Sequence, residues 1–96
     1  MATAELEVSP ELAEARARYV EHLTFERGLS PHTVRAYAND LDSLLTHAAR
    51  MRRTTDAGID VGVLRSWLAQ LHTTGKSRGT RARRASTARI FMAWAV

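Results

Sequence analysis

The sequence predicts an all-α fold, a single bundle of four helices built from 96 residues. Apolar residues recur at intervals of three and four in four successive segments, no segment alternates with period two, and helix-capping residues separate the segments. A chain of this length supports one hydrophobic core, which excludes a second domain. We predict a flexible N-terminal arm over residues 1–8 and one domain over residues 9–96.

The first predicted helix starts after Ser9, which has the side chain of an N-cap and is followed by Pro10, a residue favoured at the first helical position. Gly28 is placed to end this helix in the left-handed conformation. The helix is therefore predicted over about 10–27. Its apolar stripe consists of Leu12, Ala15, Tyr19, Val20 and Leu23.

The second predicted helix repeats this start signal with Ser30 and Pro31, and extends over 31–50. It has the clearest helical pattern of the chain, because its apolar side chains fall on one stripe. That stripe consists of Val34, Tyr37, Ala38, Leu41, Leu44, Leu45 and Ala48. The opposite face is polar or small, and it carries His32, Arg35, Ala36, Asn39 and Ser43.

The third predicted helix, about 61–74, is capped by Asp60 and ends at Gly75. Its inward seam is expected to consist of Val61, Leu64, Leu68 and Leu71, with Trp67 beside it.

The fourth predicted helix, about 78–96, follows the cap Ser77 and is apolar only in its last turns. Its inward face consists of Ala85, Ala88, Phe91, Met92 and Ala95. Arg81 and Arg84 continue that face toward the N-terminus, so we expect the helix start to project beyond the bundle. Ile90 and Trp94 lie on a second stripe. They either complete the core or contact something outside this chain, and the second alternative is slightly favoured.

The charge distribution is strongly asymmetric although the net charge is only +4. Residues 1–48 carry four basic and eight acidic side chains, whereas residues 49–96 carry ten basic and two acidic ones. The second half is therefore a candidate surface for a polyanion. A run of arginines on a helix is more often a solvated face. Here they lie on a stripe that should be buried, and no acidic residue follows Asp60.

Several classes of function are disfavoured by what the chain lacks. It has no cysteine, and its histidines, His22, His32, His47 and His72, lack metal-ligand spacing and are interpreted as solvated. Asp40 and Asp42 have no evident acid or base partner. No apolar run is long enough to cross a membrane. We predict no catalytic residue, metal, cofactor, membrane or small-molecule substrate for this chain, and a cytoplasmic location.

Two stretches of the chain resemble the N-terminal region of Xer-type tyrosine site-specific recombinases. Residues 26–41 read E-R-G-L-S-P-H-T-V-R-A-Y-A-N-D-L, similar to the family pattern E-R-G-L-S-x-x-T-x-x-x-Y-x-x-D-L. Residues 64–71 and 75–91 resemble the family's third helix and its T-x-x-R-x-L-S-x-x-R-x-F helix, although Ala85 replaces the usual leucine and Ile90 a small or polar residue. The resemblance extends from about Leu12 to the end.

The resemblance implies a core-binding domain, a SAM-like helical bundle that forms half of a clamp around the recombination site. In the family, the second and fourth helices lie against the major groove, and a separate domain, absent from this chain, carries the tyrosine nucleophile. Tyr19 and Tyr37 fall on apolar stripes and are interpreted as core residues. The implied partners are a double-stranded DNA recombination site and other recombinase protomers, which form a tetramer on DNA.

Candidate DNA contacts come from the two polar helix starts. Arg81 is the candidate for a base edge, and Lys76, Arg78 and Arg84 are candidates for phosphate. The full set is His32, Thr33, Arg35, Asn39, Lys76, Ser77, Arg78, Thr80, Arg81 and Arg84.

The function expected from these features is DNA binding by a tyrosine recombinase that cuts and rejoins DNA at specific sites, in chromosome dimer resolution. One alternative is a phage or plasmid integrase of the same family. Another is a helical protein interaction module that uses Ile90, Trp94 and the acidic first helix.

Overall fold

The computed structural model describes residues 8–95, which fold into four α-helices without a strand. The helices are α1 (Pro10–Glu21), α2 (Pro31–Arg50), α3 (Val61–Thr73) and α4 (Arg78–Ala95). The all-α, SAM-like four-helix bundle is confirmed, and α2 packs against each of the other three helices. Within residues 8–95, no helix combines the length and apolar character needed to cross a membrane. The predicted arm lies outside the described residues except for Val8, which packs against the core.

The helix boundaries follow the capping residues that the sequence provides. Ser9, Ser30 and Asp60 each accept a hydrogen bond from a backbone N–H in the first turn of the helix that follows. Gly28 and Gly75 adopt φ of +62° and +81°, a conformation that costs glycine little because it has no Cβ. These caps make both links, α1 to α2 and α3 to α4, short and sharply turned.

The first helix ends differently from its prediction, because one wider turn follows α1. Residues His22–Glu26 form a π-helical turn, in which the Arg27 N–H donates to the carbonyl of His22. This turn leaves Phe25 80% exposed, whereas Leu23 remains buried. The predicted span of 10–27 therefore consists of an α-helix and a π-turn.

The core is built mainly from the predicted stripes of α1, α2 and α4. The stripe on α3 was predicted only partly correctly, since Leu71 is buried and Leu64 packs against the core, whereas Val61 is 59% and Leu68 37% exposed. Val63, Trp67 and Leu71 are the fully buried side chains of this helix. Trp67 can occupy the centre because its indole N–H donates to a hydroxyl on α2, which removes the cost of burying a polar group.

An aromatic cluster closes the core between α1 and the end of α4. Tyr19 packs edge-on against Phe91, with ring centroids 5.2 Å apart, and its ring centroid lies 5.1 Å from that of Trp94. His22 stacks on the same group. Trp94 therefore completes the core, contrary to the favoured alternative, whereas Ile90 remains 51% exposed. Tyr19 and Tyr37 both contribute to the core, as predicted.

Candidate nucleic-acid interface

Helices α2 and α4 meet around Asp40. Asp40 on α2 contacts Thr87 and Arg83 on α4, and three residues further along α2, Ser43 contacts Arg84. These contacts all fall within residues 83–87 of α4. The long side chains of Arg83 and Arg84 therefore bridge the two helices.

Asp40 is the centre of this junction, because its side chain is completely buried. Its two carboxylate oxygens accept from Arg83 Nε and Nη2 at 2.9 and 2.8 Å, and one also accepts from the Thr87 hydroxyl at 3.1 Å. These hydrogen bonds, and the charge of the carboxylate, raise the pKa of Arg83 above its already high usual value. Although no acidic residue follows Asp60, the arginines of α4 therefore find an acidic partner in Asp40, which comes from α2.

Arg84 lies between the helices instead of projecting from the bundle. Its side chain is only 18% exposed, its Nη1 donates to Ser43 Oγ at 3.0 Å, and its Nε is 3.4 Å from Asp40. Arg81, one turn earlier, is partly buried, and its Nε is enclosed without a hydrogen-bond partner in residues 8–95. The predicted projection is corrected for Arg84, whose guanidinium lies against the buried carboxylate of Asp40. Arg81 is only partly buried, so its projection is corrected in part.

An open groove of about 490 Å³ lies beside Arg84. Its walls come from α2, α3 and α4, and most of its lining is polar and able to donate hydrogen bonds. The lining residues are Asn39, Asp42, Ser43, Thr46, Arg50, Gln70 and Arg84. Asp42 is the one carboxylate among them, and Arg16 from α1 pairs with it at 2.6 Å. The groove is therefore basic, since its lining contains two arginines and a single carboxylate that is already paired with Arg16.

The α2 candidates lie in order along the exposed face of that helix. His32, Arg35 and Asn39 are exposed, and Thr33 is half-buried, with its hydroxyl bonded to the cap Ser30 at 3.0 Å. Of these four, Asn39 lines the groove with Arg84. The other three lie toward the start of α2.

The α4 candidates surround the start of that helix. Lys76, Ser77 and Arg78 are exposed, and Thr80 is half-buried. Ser77 caps α4 by accepting from the Thr80 N–H at 3.1 Å, and the two hydroxyls are 3.0 Å apart, which repeats the arrangement of Ser30 and Thr33. Both helix starts thus have the same local construction.

Each helix start is separated from the Asp40 junction. Ser30 precedes Asp40 by 10 residues on α2, and Ser77 precedes Arg83 by 6 residues on α4, which correspond to roughly 15 and 9 Å of helix at about 1.5 Å per residue. Asn39 and Arg84 line the groove beside this junction. The candidate residues therefore extend from the groove along both helices and form an elongated surface.

Sequence reasoning missed several residues of this surface, namely Asp40 and Arg83 as its framework and Ser43, Thr46, Arg50 and Gln70 as its lining. One signal was available for Asp40, which lies three residues after Tyr37 and four before Leu44 and so borders the apolar stripe. An acid at such a position needs a partner from another helix. The lining residues follow only from how the helices pack.

The histidines are less uniformly solvated than predicted. His22 belongs to the aromatic cluster, and His47 is half-buried, with Nε2 2.9 Å from the Ser66 hydroxyl. Desolvation, aided by the nearby charge of Arg50, lowers the pKa of His47. His32 and His72 are exposed. Residues 8–95 contain no group of histidines and carboxylates arranged to hold a metal ion.

Comparison with known proteins places the chain among recombinase domains. Residues 17–96 match the family model described as phage integrase, N-terminal SAM-like domain. The chain is 48% identical over 75 residues to tyrosine recombinase XerC of Mycobacterium leprae, an alignment covering 78% of this chain and 25% of that protein. It is 40% identical over 91 residues to tyrosine recombinase XerC of Rhodospirillum centenum, covering 90% and 27% respectively.

The chain spans about a quarter of the length of these relatives. No solved structure gives a significant match. The match to the family model includes both stretches on which the sequence resemblance rests, together with α2, α3 and α4 of the bundle. This chain belongs to the phage integrase N-terminal SAM-like domain family, the N-terminal domain family of tyrosine recombinases.

Proposed function

We propose that this domain binds duplex DNA through the elongated surface formed by α2 and α4. The observation that carries the proposal is the basic groove around Arg84, at the junction of two helices that both begin with a serine cap. Phosphates are attracted by the charge of the arginines, and polar side chains on the exposed face of α2 offer contacts to base edges. Candidate contacts are His32, Thr33, Arg35, Asn39, Lys76, Ser77, Arg78, Thr80, Arg81 and Arg84.

The parent protein in this proposal is a tyrosine recombinase that cuts and rejoins DNA at specific sites. Its partners are a double-stranded recombination site and further protomers of the same enzyme, and its compartment is the cytoplasm. The similarity to proteins named tyrosine recombinase XerC supports a recombinase. Its proposed role is chromosome dimer resolution, and integration of phage or plasmid DNA is the alternative. The chemistry of strand cleavage belongs to the part of the relatives that this chain does not match.

A second candidate is a protein interaction module, favoured by two large apolar side chains at the surface. Phe25 and Ile90 are 80% and 51% exposed. Both residues are compatible with DNA binding by the α2 and α4 surface, since protomers on one DNA site also need contacts with each other. The two candidates predict a different dependence of binding on salt concentration.

The test is binding of the chain to a labelled duplex of about 30 base pairs, measured by fluorescence anisotropy at increasing salt. A DNA-binding surface should lose affinity steeply, because phosphate contacts release counterions. Arg84→Ala should weaken binding to specific and random duplexes alike, and should reduce the slope of log affinity against log salt by about 1. Arg35→Ala, an exposed position, tests the same surface with little effect on the fold.

The matched control is Arg18→Ala, which removes an exposed arginine from a cleft between α1 and the end of α4, outside the proposed surface. It should leave both affinity and salt slope near those of the unmodified chain. Equal losses in the control and in Arg35→Ala would assign binding to net charge alone. Absence of binding at low salt would favour the protein interaction module.

A further inference from the structure

The hydroxyl of Ser43 has an unusual set of partners. It accepts from Arg84 Nη1 at 3.0 Å and from Trp67 Nε1 at 3.0 Å. A guanidinium and an indole N–H can only donate, so both lone pairs of the Ser43 oxygen are used. The hydroxyl hydrogen is therefore left to donate in a third direction.

No acceptor for that hydrogen occurs within residues 8–95. A serine in a helix often donates to the carbonyl four residues earlier, and Thr24, Thr73 and Thr74 each make such a bond. Ser43 does not make it. The side chain instead lines the groove beside Arg84. Its oxygen is held from two sides, and its hydrogen is left for an acceptor that enters the groove.

We infer that Ser43 and Arg84 together form a phosphate subsite in the floor of the groove, an assignment that rests on the proposed DNA binding. A backbone phosphate of the duplex accepts from the Ser43 hydroxyl and from the guanidinium of Arg84. Arg50 adds positive charge at the rim, and the acid Asp42 is already paired with Arg16. In this assignment Ser43 joins Asn39 and Arg84, which were both predicted from sequence, as a further contact to the same ligand.

The subsite is coupled to a buried reporter. When a hydroxyl donates a hydrogen bond, its oxygen becomes a stronger acceptor, so the bond from Trp67 should strengthen as phosphate binds. Trp67 is 1% exposed, so the duplex cannot contact it directly. A change in its fluorescence therefore reports a change in its immediate protein surroundings. Trp94 is the second tryptophan, and Trp94→Phe keeps an aromatic ring in its cluster while leaving Trp67 as the single emitter.

The experiment titrates the Trp94→Phe chain with the duplex and follows both anisotropy of the labelled DNA and emission of Trp67. Emission should shift to longer wavelength in step with binding. Adding Ser43→Ala should weaken binding about ten- to hundredfold, as expected for one hydrogen bond to a charged group, and should abolish the emission shift. Ser43→Thr, which keeps the hydroxyl, should restore both signals.

Ser66→Ala is the matched control, because Ser66 has the same side chain on α3 but bonds to His47. It should change neither signal. Far-UV circular dichroism establishes that each variant is folded, and Ser43→Thr decides the outcome if Ser43→Ala is not.

Three results overturn the inference, and they are distinguishable. Binding without a shift of Trp67 emission, and with equal affinity for Ser43→Ala, removes the subsite but leaves DNA binding intact. Absence of binding by the Trp94→Phe and unmodified chains removes the proposed function as well. The same emission shift with inorganic phosphate, at an equal concentration of phosphate groups, assigns the subsite to a free anion.

Discussion

Two aspartates on α2, separated by one residue, have opposite surroundings. Asp40 is completely buried against α4 and accepts three hydrogen bonds, whereas the side chain of Asp42 is 48% exposed and pairs with Arg16 on α1. The two ion pairs have similar lengths, so distance does not separate them. A carboxylate therefore joins helices strongly only where water cannot replace its partners.

The largest effect should come from Asp40→Ala. Removing one partner of a buried ion pair costs about 3–5 kcal/mol, and because Arg83 is half-exposed and can be rehydrated we expect about 2–4 kcal/mol. Urea unfolding followed by far-UV circular dichroism measures the loss. A change below about 1 kcal/mol would mean that the buried and exposed aspartates are equivalent, which contradicts the comparison.

Asp42→Ala should change stability little and should strengthen the binding of duplex DNA. An exposed ion pair contributes about 0–1 kcal/mol, so unfolding in urea should change little. The substitution removes the one carboxylate among the groove-lining residues, so affinity for duplex DNA should rise about two- to fivefold at low salt and less at high salt. Weaker binding in the same anisotropy titration would argue that Arg16 needs its partner to keep the surface in shape.

The smallest effect should come from pH, through the titration of His47 on the same helix. Its pKa is lowered by desolvation and by Arg50, so the folded chain resists protonation more than the unfolded chain does. The contribution of His47 to the free energy of unfolding should therefore be fully present above the ordinary histidine pKa. It should be lost as pH decreases through that value toward the lowered pKa. Urea unfolding at about pH 7.5 and about pH 5.5 measures this dependence.

His47→Gln provides the control for that pH dependence, because it keeps a hydrogen-bonding side chain beside Ser66 without a titratable ring. The decrease in stability between the two pH values should shrink in this variant. An undiminished decrease would assign the pH dependence to another group.

The fold could be predicted from sequence largely because the caps and the apolar spacing are local signals. Ser9, Ser30, Asp60 and Gly75 mark boundaries through their own side chains or their lack of one. The stripe of α3 could not be placed, because a short helix with several large apolar residues offers more than one seam. Val63 and Trp67 were selected by the partners they meet, including the hydroxyl on α2 that Trp67 needs.

The candidate site was predicted only in part, for the same reason. Exposed positions such as Arg35 and Asn39 follow from the wheel of one helix. The positions of Arg83 and Arg84 depend on Asp40, more than 40 residues earlier in the chain. A long arginine side chain can extend either into solvent or toward a buried charge, and no local sequence pattern distinguishes these outcomes.

The left-handed glycines have a consequence for how the chain folds. Gly28 and Gly75 make both short links, residues 27–30 and 74–77, so the molecule consists of two helix hairpins joined by the longer connection 51–60. Each hairpin brings together residues close in sequence, which form contacts quickly. The contacts of Asp40 and Ser43 with α4 span more than 40 residues and require both hairpins to dock. The groove therefore exists only when the two hairpins are docked.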